Sequence, residues 1–129
     1  MEVYKLERRG AMDASRAERL IHEILEESGL KYKMEYVFPD LRSENGKPLR
    51  FDFVIFDDDG NIDFIIEYQG SQHYIASAKF GGKRGLYQQQ HNDNKKRRFC
   101  ALHDLKLIEI PYTEENLISY DYIMHKAGY

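Results

Sequence analysis

The sequence predicts a mixed β-sheet flanked by helices, an α/β layer fold in the order α-β-β-β-α-β-α. Three observations predict it. Residues 15–25 open on a capping box and continue at helical spacing. Residues 49–56 and 62–69 are β-rich runs joined by a short acidic turn. Beyond Leu86 a helix, a short strand and a final helix follow one another.

Each element has its local reason. Ser15 and Glu18 stand three apart, as a helix cap requires, and Ala17, Leu20, Ile21, Ile24 and Leu25 form one apolar stripe that Gly29 ends. Residues 32–38 read as a strand closed by a turn at Pro39-Asp40. The next two runs enclose Asp57-Asp58-Asp59-Gly60-Asn61, a turn cluster, so they should form an antiparallel hairpin. Residues 76–85 are rich in Gly and Lys and read as a loop. A helix is expected from about Leu86 to His103, a strand from Lys106 to Ile110 closed by Pro111, and a helix over 114–126 capped by Thr113. Residues 1–12 show no clear period and read as an N-terminal arm or extra strand of a single 1–129 domain.

Composition narrows the class. The chain has 129 residues, enough for one core, with 42% hydrophobic and 32% charged residues, as in an ordinary soluble globule. No apolar run approaches transmembrane length, and the start lacks a signal-peptide core, so no membrane role is expected. One cysteine, Cys100, excludes an internal disulfide and suits a reducing, cytoplasmic setting. Net charge is −3, which argues mildly against a non-specific polyanion binder. Base is nonetheless concentrated at Lys79–Arg84 and Lys95–Arg98, either a face for a phosphate backbone or a solvated mixed-charge surface.

The chemistry lies in the hairpin. Asp52 and Glu67 each stand in a strand where an apolar residue would cost less, and a buried carboxylate needs cations or donors beside it. Side chains alternate along a strand, so Glu67 and Gln69 share a face. If Phe56 lies opposite Asp63, Asp52 lies opposite Glu67, and the three polar residues gather at the open end of the hairpin. Two carboxylates there can hold Mg²⁺, which takes oxygen ligands, polarises a phosphodiester and activates water. The competing reading of Asp52 is a structural ion pair with Arg50 or another base.

Asp52 in one strand followed by Glu67-Tyr68-Gln69 in the next resembles the Asp…Glu-x-Lys core of the PD-(D/E)XK, or restriction-endonuclease-like, nucleases, with Gln69 in place of Lys. A longer ordered series over residues 15–112 is similar to phage-associated nucleases related to very-short-patch repair endonucleases. It comprises Ser15-x-x-Glu18, Leu49-Arg50-Phe51-Asp52-Phe53, Ile66-Glu67-Tyr68-Gln69-Gly70-x-Gln72-His73-Tyr74, Phe80-Gly81-Gly82, Asp93-x-x-Lys96, Phe99-Cys100 and Leu107-Ile108-x-Ile110-Pro111-Tyr112. Some relatives are homing endonucleases with an EDxHD site, onto which Glu18, Asp52, His73 and Asp93 map. The zinc-binding set of the repair enzymes is missing, since one Cys cannot supply it.

The resemblance implies a restriction-endonuclease-like fold and Mg²⁺-dependent hydrolysis of DNA, with Mn²⁺ as a substitute. Asp52 and Glu67 would be the metal ligands. Gln69 would orient water, though an amide cannot act as a base, and His73 would be the acid or base. Glu18 would reach the metal through water, or serve only as the cap acid. Asp93 would orient His73 and Lys96 would touch phosphate, or the two would be a plain surface ion pair. Lys79, Lys83 and Arg84 would grip the DNA backbone. With no separate recognition domain in the sequence, specificity would come from loops, a homodimer or a recognition partner. The alternatives are a catalytically weak DNA-binding module and an inhibitor on a nuclease scaffold.

Overall fold

A computed structural model describes residues 15–129 of the chain. The expected arm at residues 1–12 lies outside the described residues. The architecture is mixed α/β: a four-stranded mixed sheet in the order β1-β2-β3-β4, with helices on both faces. Helix α1 spans Arg16–Ser28, β1 Lys31–Arg42, β2 Pro48–Phe56, β3 Ile62–Gln69, α2 Gly82–Leu102, β4 Leu107–Pro111 and α3 Tyr120–Lys126.

Helix α1 begins as its sequence directs. Ser15 Oγ accepts from the Glu18 N–H and Glu18 Oε1 accepts from the Ser15 N–H, each at 3.0 Å. Gly29 closes the helix with φ 78°, a conformation that costs glycine little. Ile21 and Leu25 pack with Phe53, Ile55, Phe64, Ile66 and Ile123 on one face of the sheet. Phe51, Val54, Ile65 and Cys100 pack on the other face, under α2.

β1 and β2 run antiparallel, β2 and β3 run antiparallel, and β3 and β4 run parallel. Phe53, Val54 and Ile55 face Ile66, Ile65 and Phe64, the register expected from the sequence. Phe56 pairs with Ile62 instead of Asp63, because a bulge absorbs one residue beside the turn.

Alternation breaks in two strands at one level. Met34 and Phe53 pack on the α1 side, but their neighbours Tyr36 and Phe51 pack on the α2 side. Between them lie Glu35, in the left-handed region at φ 50°, and Asp52. Asp52 therefore sits where the sheet loses its regular pleat.

Four boundaries depart from expectation. β1 continues through Pro39 to Arg42, since an edge strand tolerates a missing N–H and Leu41 gains burial. The segment expected as a loop, residues 76–85, contains a 3₁₀ turn at Ala78–Phe80, and a further 3₁₀ turn at Ser71–His73 precedes it. Helix α2 then starts at Gly82, four residues early. Gly85 can enter this helix only as glycine, because a Cβ there would stand 1.7 Å from the Phe80 carbonyl oxygen. The final helix is shorter than expected: Tyr112–Leu117 is a 3₁₀ helix, Ile118 is extended and buried, and Ser119 caps α3 in place of Thr113.

Candidate functional site

β2 and β3 part just beyond the Phe53–Ile66 pair, and there two carboxylates replace ladder bonds. Glu67 Oε2 accepts the Asp52 N–H at 2.7 Å, and Asp52 Oδ2 accepts the Tyr68 N–H at 2.8 Å. The strands are stitched side chain to main chain in both directions. Each carboxylate is held close to the other, as the register argument expected.

This closeness is electrostatically costly. Burial, then repulsion by Glu67 and Glu18, pushes the Asp52 carboxyl well above the usual carboxylate range, against the Tyr68 N–H and Lys96. Burial also raises Glu67, opposed chiefly by Lys96. The Lys96 Nζ lies 2.9 Å from Glu67 Oε1, with both side chains nearly enclosed, and 5.4 Å from the Phe51 ring centroid. Lys96 is thus a partner of the carboxylate pair and not a member of a surface ion pair with Asp93.

The remaining polar residues adjoin the pair on the α2 side. His73 Nδ1 lies 2.8 Å from Asp93 Oδ2, and both residues are buried. Gln89 donates to Asp93 Oδ1 at 3.2 Å, and Gln90 donates to the His73 carbonyl at 3.3 Å. An ionised Asp93 accepts the Nδ1 proton, which leaves Nε2 of a neutral ring with the lone pair. Gln69 Oε1 accepts from the Tyr74 hydroxyl at 2.6 Å, and Gln69 Nε2 donates to Glu109 Oε1 at 2.5 Å. Both ends of that amide are engaged within the protein. A cavity of about 210 Å³ opens beside these groups, lined by Gln69, His73, Tyr74, Gln90, Asp93, Asn94 and Arg97.

Larger clefts, about 400 and 530 Å³, lie between α1 and residues 115–120, away from these carboxylates. Their walls hold no histidine and no cysteine.

Glu109 and Arg97 escaped the sequence reading. They form a bidentate pair, with Arg97 Nε and Nη2 each 2.7 Å from a Glu109 oxygen. The parallel register sets Glu67 beside Glu109, so two acids on one face meet successive cations of α2, Lys96 and Arg97. The missing signal was strand pairing: nothing local places β4 next to β3.

The structure therefore gathers Glu18, Asp52, Glu67, Gln69, His73, Asp93 and Lys96 around the end of β3. Glu18 both closes its cap and adds to the field at Asp52. Lys79, Lys83 and Arg84 stand apart and exposed, on the 3₁₀ turn and the first turn of α2. Nine to ten residues of helix separate Lys83 and Arg84 from Asp93, or ~15 Å along the axis. Among the described residues, no group of three or more His, Cys, Asp or Glu side chains is arranged to hold a metal ion. Among them, too, no helix is long and apolar enough to cross a membrane.

No family model matches the sequence, and no solved structure matches the chain. Similarity is found to viral proteins. Over 57 residues the chain is 44% identical to "Uncharacterized protein 094L" of Frog virus 3 (isolate Goorha), covering 43% of this chain and 37% of that protein. Over 58 residues it is 40% identical to "Uncharacterized protein 307L" of Invertebrate iridescent virus 6, covering 44% and 29%. Over 49 residues it is 43% identical to "Uncharacterized protein 033L" of Invertebrate iridescent virus 3, covering 37% and 25%. The matched stretch thus spans well under half the length of each relative.

Proposed function

We propose that the chain is a Mg²⁺-dependent DNA endonuclease or nickase of the restriction-endonuclease-like type. The observation that carries this reading is the Asp52–Glu67 pair, cross-bonded at the point where β2 and β3 part, with Lys96 and the His73–Asp93 pair beside it.

The residues fit a divalent cation by charge and donor type. Two hard oxygen ligands are crowded and desolvated, Glu18 adds a third negative charge nearby, and Lys96 is the cation that lowers both pKa values. Asp52 and Glu67 would hold Mg²⁺ or Mn²⁺. Bound there, the metal would polarise the phosphodiester and acidify a water.

The chain's own groups have separate roles. His73, held by Asp93 through Nδ1, takes the proton of the attacking water at Nε2. The water oxygen bonds to phosphorus, one P–O ester bond breaks, and the leaving oxygen is protonated from solvent. Lys96 balances charge beside the reacting phosphate. Lys79, Lys83 and Arg84 hold the DNA backbone farther along, where the N-terminus of α2 adds positive potential. A homodimer or a recognition partner would supply target selection.

One observation favours binding without efficient cleavage. Both Glu67 oxygens and both ends of the Gln69 amide already have protein partners. Incubating supercoiled plasmid with the purified chain in Mg²⁺, Mn²⁺ or EDTA separates the readings. Metal-dependent nicking that Asp52→Ala abolishes supports the nuclease. DNA binding in Ca²⁺ with no cleavage in any metal supports the binding module, and neither activity supports the inhibitor.

A further inference from the structure

We infer that Tyr74, Glu109 and Arg97 are positioning residues that set the His73–Asp93 pair through Gln69, and that this task explains why position 69 is Gln and not Lys. The inference rests on the nuclease reading for its catalytic consequence, but its structural part stands on the hydrogen bonds alone.

Those bonds have a fixed polarity. Arg97 donates to both Glu109 oxygens, and this contact raises the Arg97 pKa against the opposing effect of burial; a carboxylate held by a guanidinium in this way only accepts. The Gln69 group facing Glu109 must therefore be its NH₂, which turns its oxygen toward Tyr74. The Tyr74 hydroxyl must then be the donor. The direction runs Tyr74 to Gln69 to Glu109, with Arg97 closing the end.

Its effect falls on the neighbouring residue. Tyr74 follows His73 at the end of the Ser71–His73 turn. His73 is thus fixed at its ring by Asp93, at its carbonyl by Gln90, and along the chain by Tyr74 anchored to β3. A lysine at position 69 could donate to Glu109 but offers no acceptor to the Tyr74 hydroxyl. A glutamine does both.

The test reads the ring itself and the reaction separately. ¹⁵N NMR of the His73 imidazole in the free, full chain should show one neutral tautomer, protonated at Nδ1. Tyr74→Phe, which removes one oxygen from a half-exposed residue, should give a mixture of tautomers. Gln69→Lys should do the same. Gln69→Glu sets two carboxylates face to face and should also do so, whereas Gln69→Glu combined with Glu109→Gln restores one amide and one acid and should restore the single tautomer. Single-turnover cleavage should fall at least tenfold in Tyr74→Phe with DNA affinity in Ca²⁺ unchanged, and should fall in Gln69→Glu and recover in the exchange pair. A His73 tautomer indifferent to Tyr74→Phe and to Gln69→Glu overturns the inference. If the wild type cleaves nothing, the nuclease reading fails, while the NMR result still decides the positioning role.

Discussion

Lys96→Met isolates the electrostatics of the site. Methionine keeps an apolar stem against Phe51 and removes the ammonium 2.9 Å from Glu67. The two side chains are 12% and 5% exposed, so the pair counts as buried. Removing one partner of a buried pair costs ~3–5 kcal/mol, because the other charge is left uncompensated. At this chain length ~1 kcal/mol moves the melting temperature by ~4 °C, so the variant should melt ~12–20 °C lower near neutral pH. The pH dependence has a definite sign. Burial already raises the Glu67 pKa and Lys96 opposes that rise, so its loss raises the pKa further. A raised carboxyl pKa gives stability that is full below the unfolded value and lost as pH climbs through the folded one. The cost of Lys96→Met should therefore be large at about pH 7 and fade below about pH 4, near the unfolded Glu pKa. Adding Glu67→Gln should return most of the loss. Urea titrations of the four proteins at both pH values close this double-mutant cycle. A loss under ~1 kcal/mol, below the range for buried pairs, or an equal loss at both pH values, refutes the reasoning.

Other outcomes follow from the same geometry. Asp52→Asn keeps an acceptor for the Tyr68 N–H and removes a charge that burial and Glu67 penalise, so it should end cleavage yet raise the urea midpoint at neutral pH, a gain that disappears as pH falls toward ~4. Neutralising Lys79, Lys83 and Arg84 together should flatten the slope of log affinity against log salt by up to ~2.7, at 0.9 per lost phosphate contact; an unchanged slope removes this segment from the DNA interface. Gly85→Ala should displace residues 76–82 through its clash with the Phe80 carbonyl, seen as new proteolysis there with the sheet intact; an unchanged cleavage pattern would contradict the tight turn.

The parts of the fold set by short-range signals could be read from the sequence. The Ser15–Glu18 cap, the hairpin and the 53–66 register all depend on residues within a turn or two of each other. The early start of α2 could not, because Lys83 and Arg84 between glycines read as loop until Phe80 is seen folded against Gly85. Nor could the break at 112–120, where burial of Ile118 competes with helix continuity. At the site, Asp52 and Glu67 stood out as carboxylates in apolar runs, and His73 through its place just beyond Gln69. Glu109 and Arg97 did not, since an acid in a short strand and a base in a charged helix are ordinary until β4 lies parallel to β3. Gln69 was visible, but the amide's partners come from positions 74 and 109, and only the tertiary fold makes it a bridge.

The proposed activity is hydrolysis of DNA by Asp52, Glu67 and His73 with a divalent metal. Its most direct test is single-turnover cleavage of duplex DNA by wild type, Asp52→Asn and His73→Ala in Mg²⁺, with affinity measured in Ca²⁺. The wild type should cleave only with the metal, Asp52→Asn should not cleave, and His73→Ala should cleave ~10²–10⁴-fold more slowly with the affinity of the wild type. Cleavage that survives EDTA, or Asp52→Asn cutting at the wild-type rate, would contradict it.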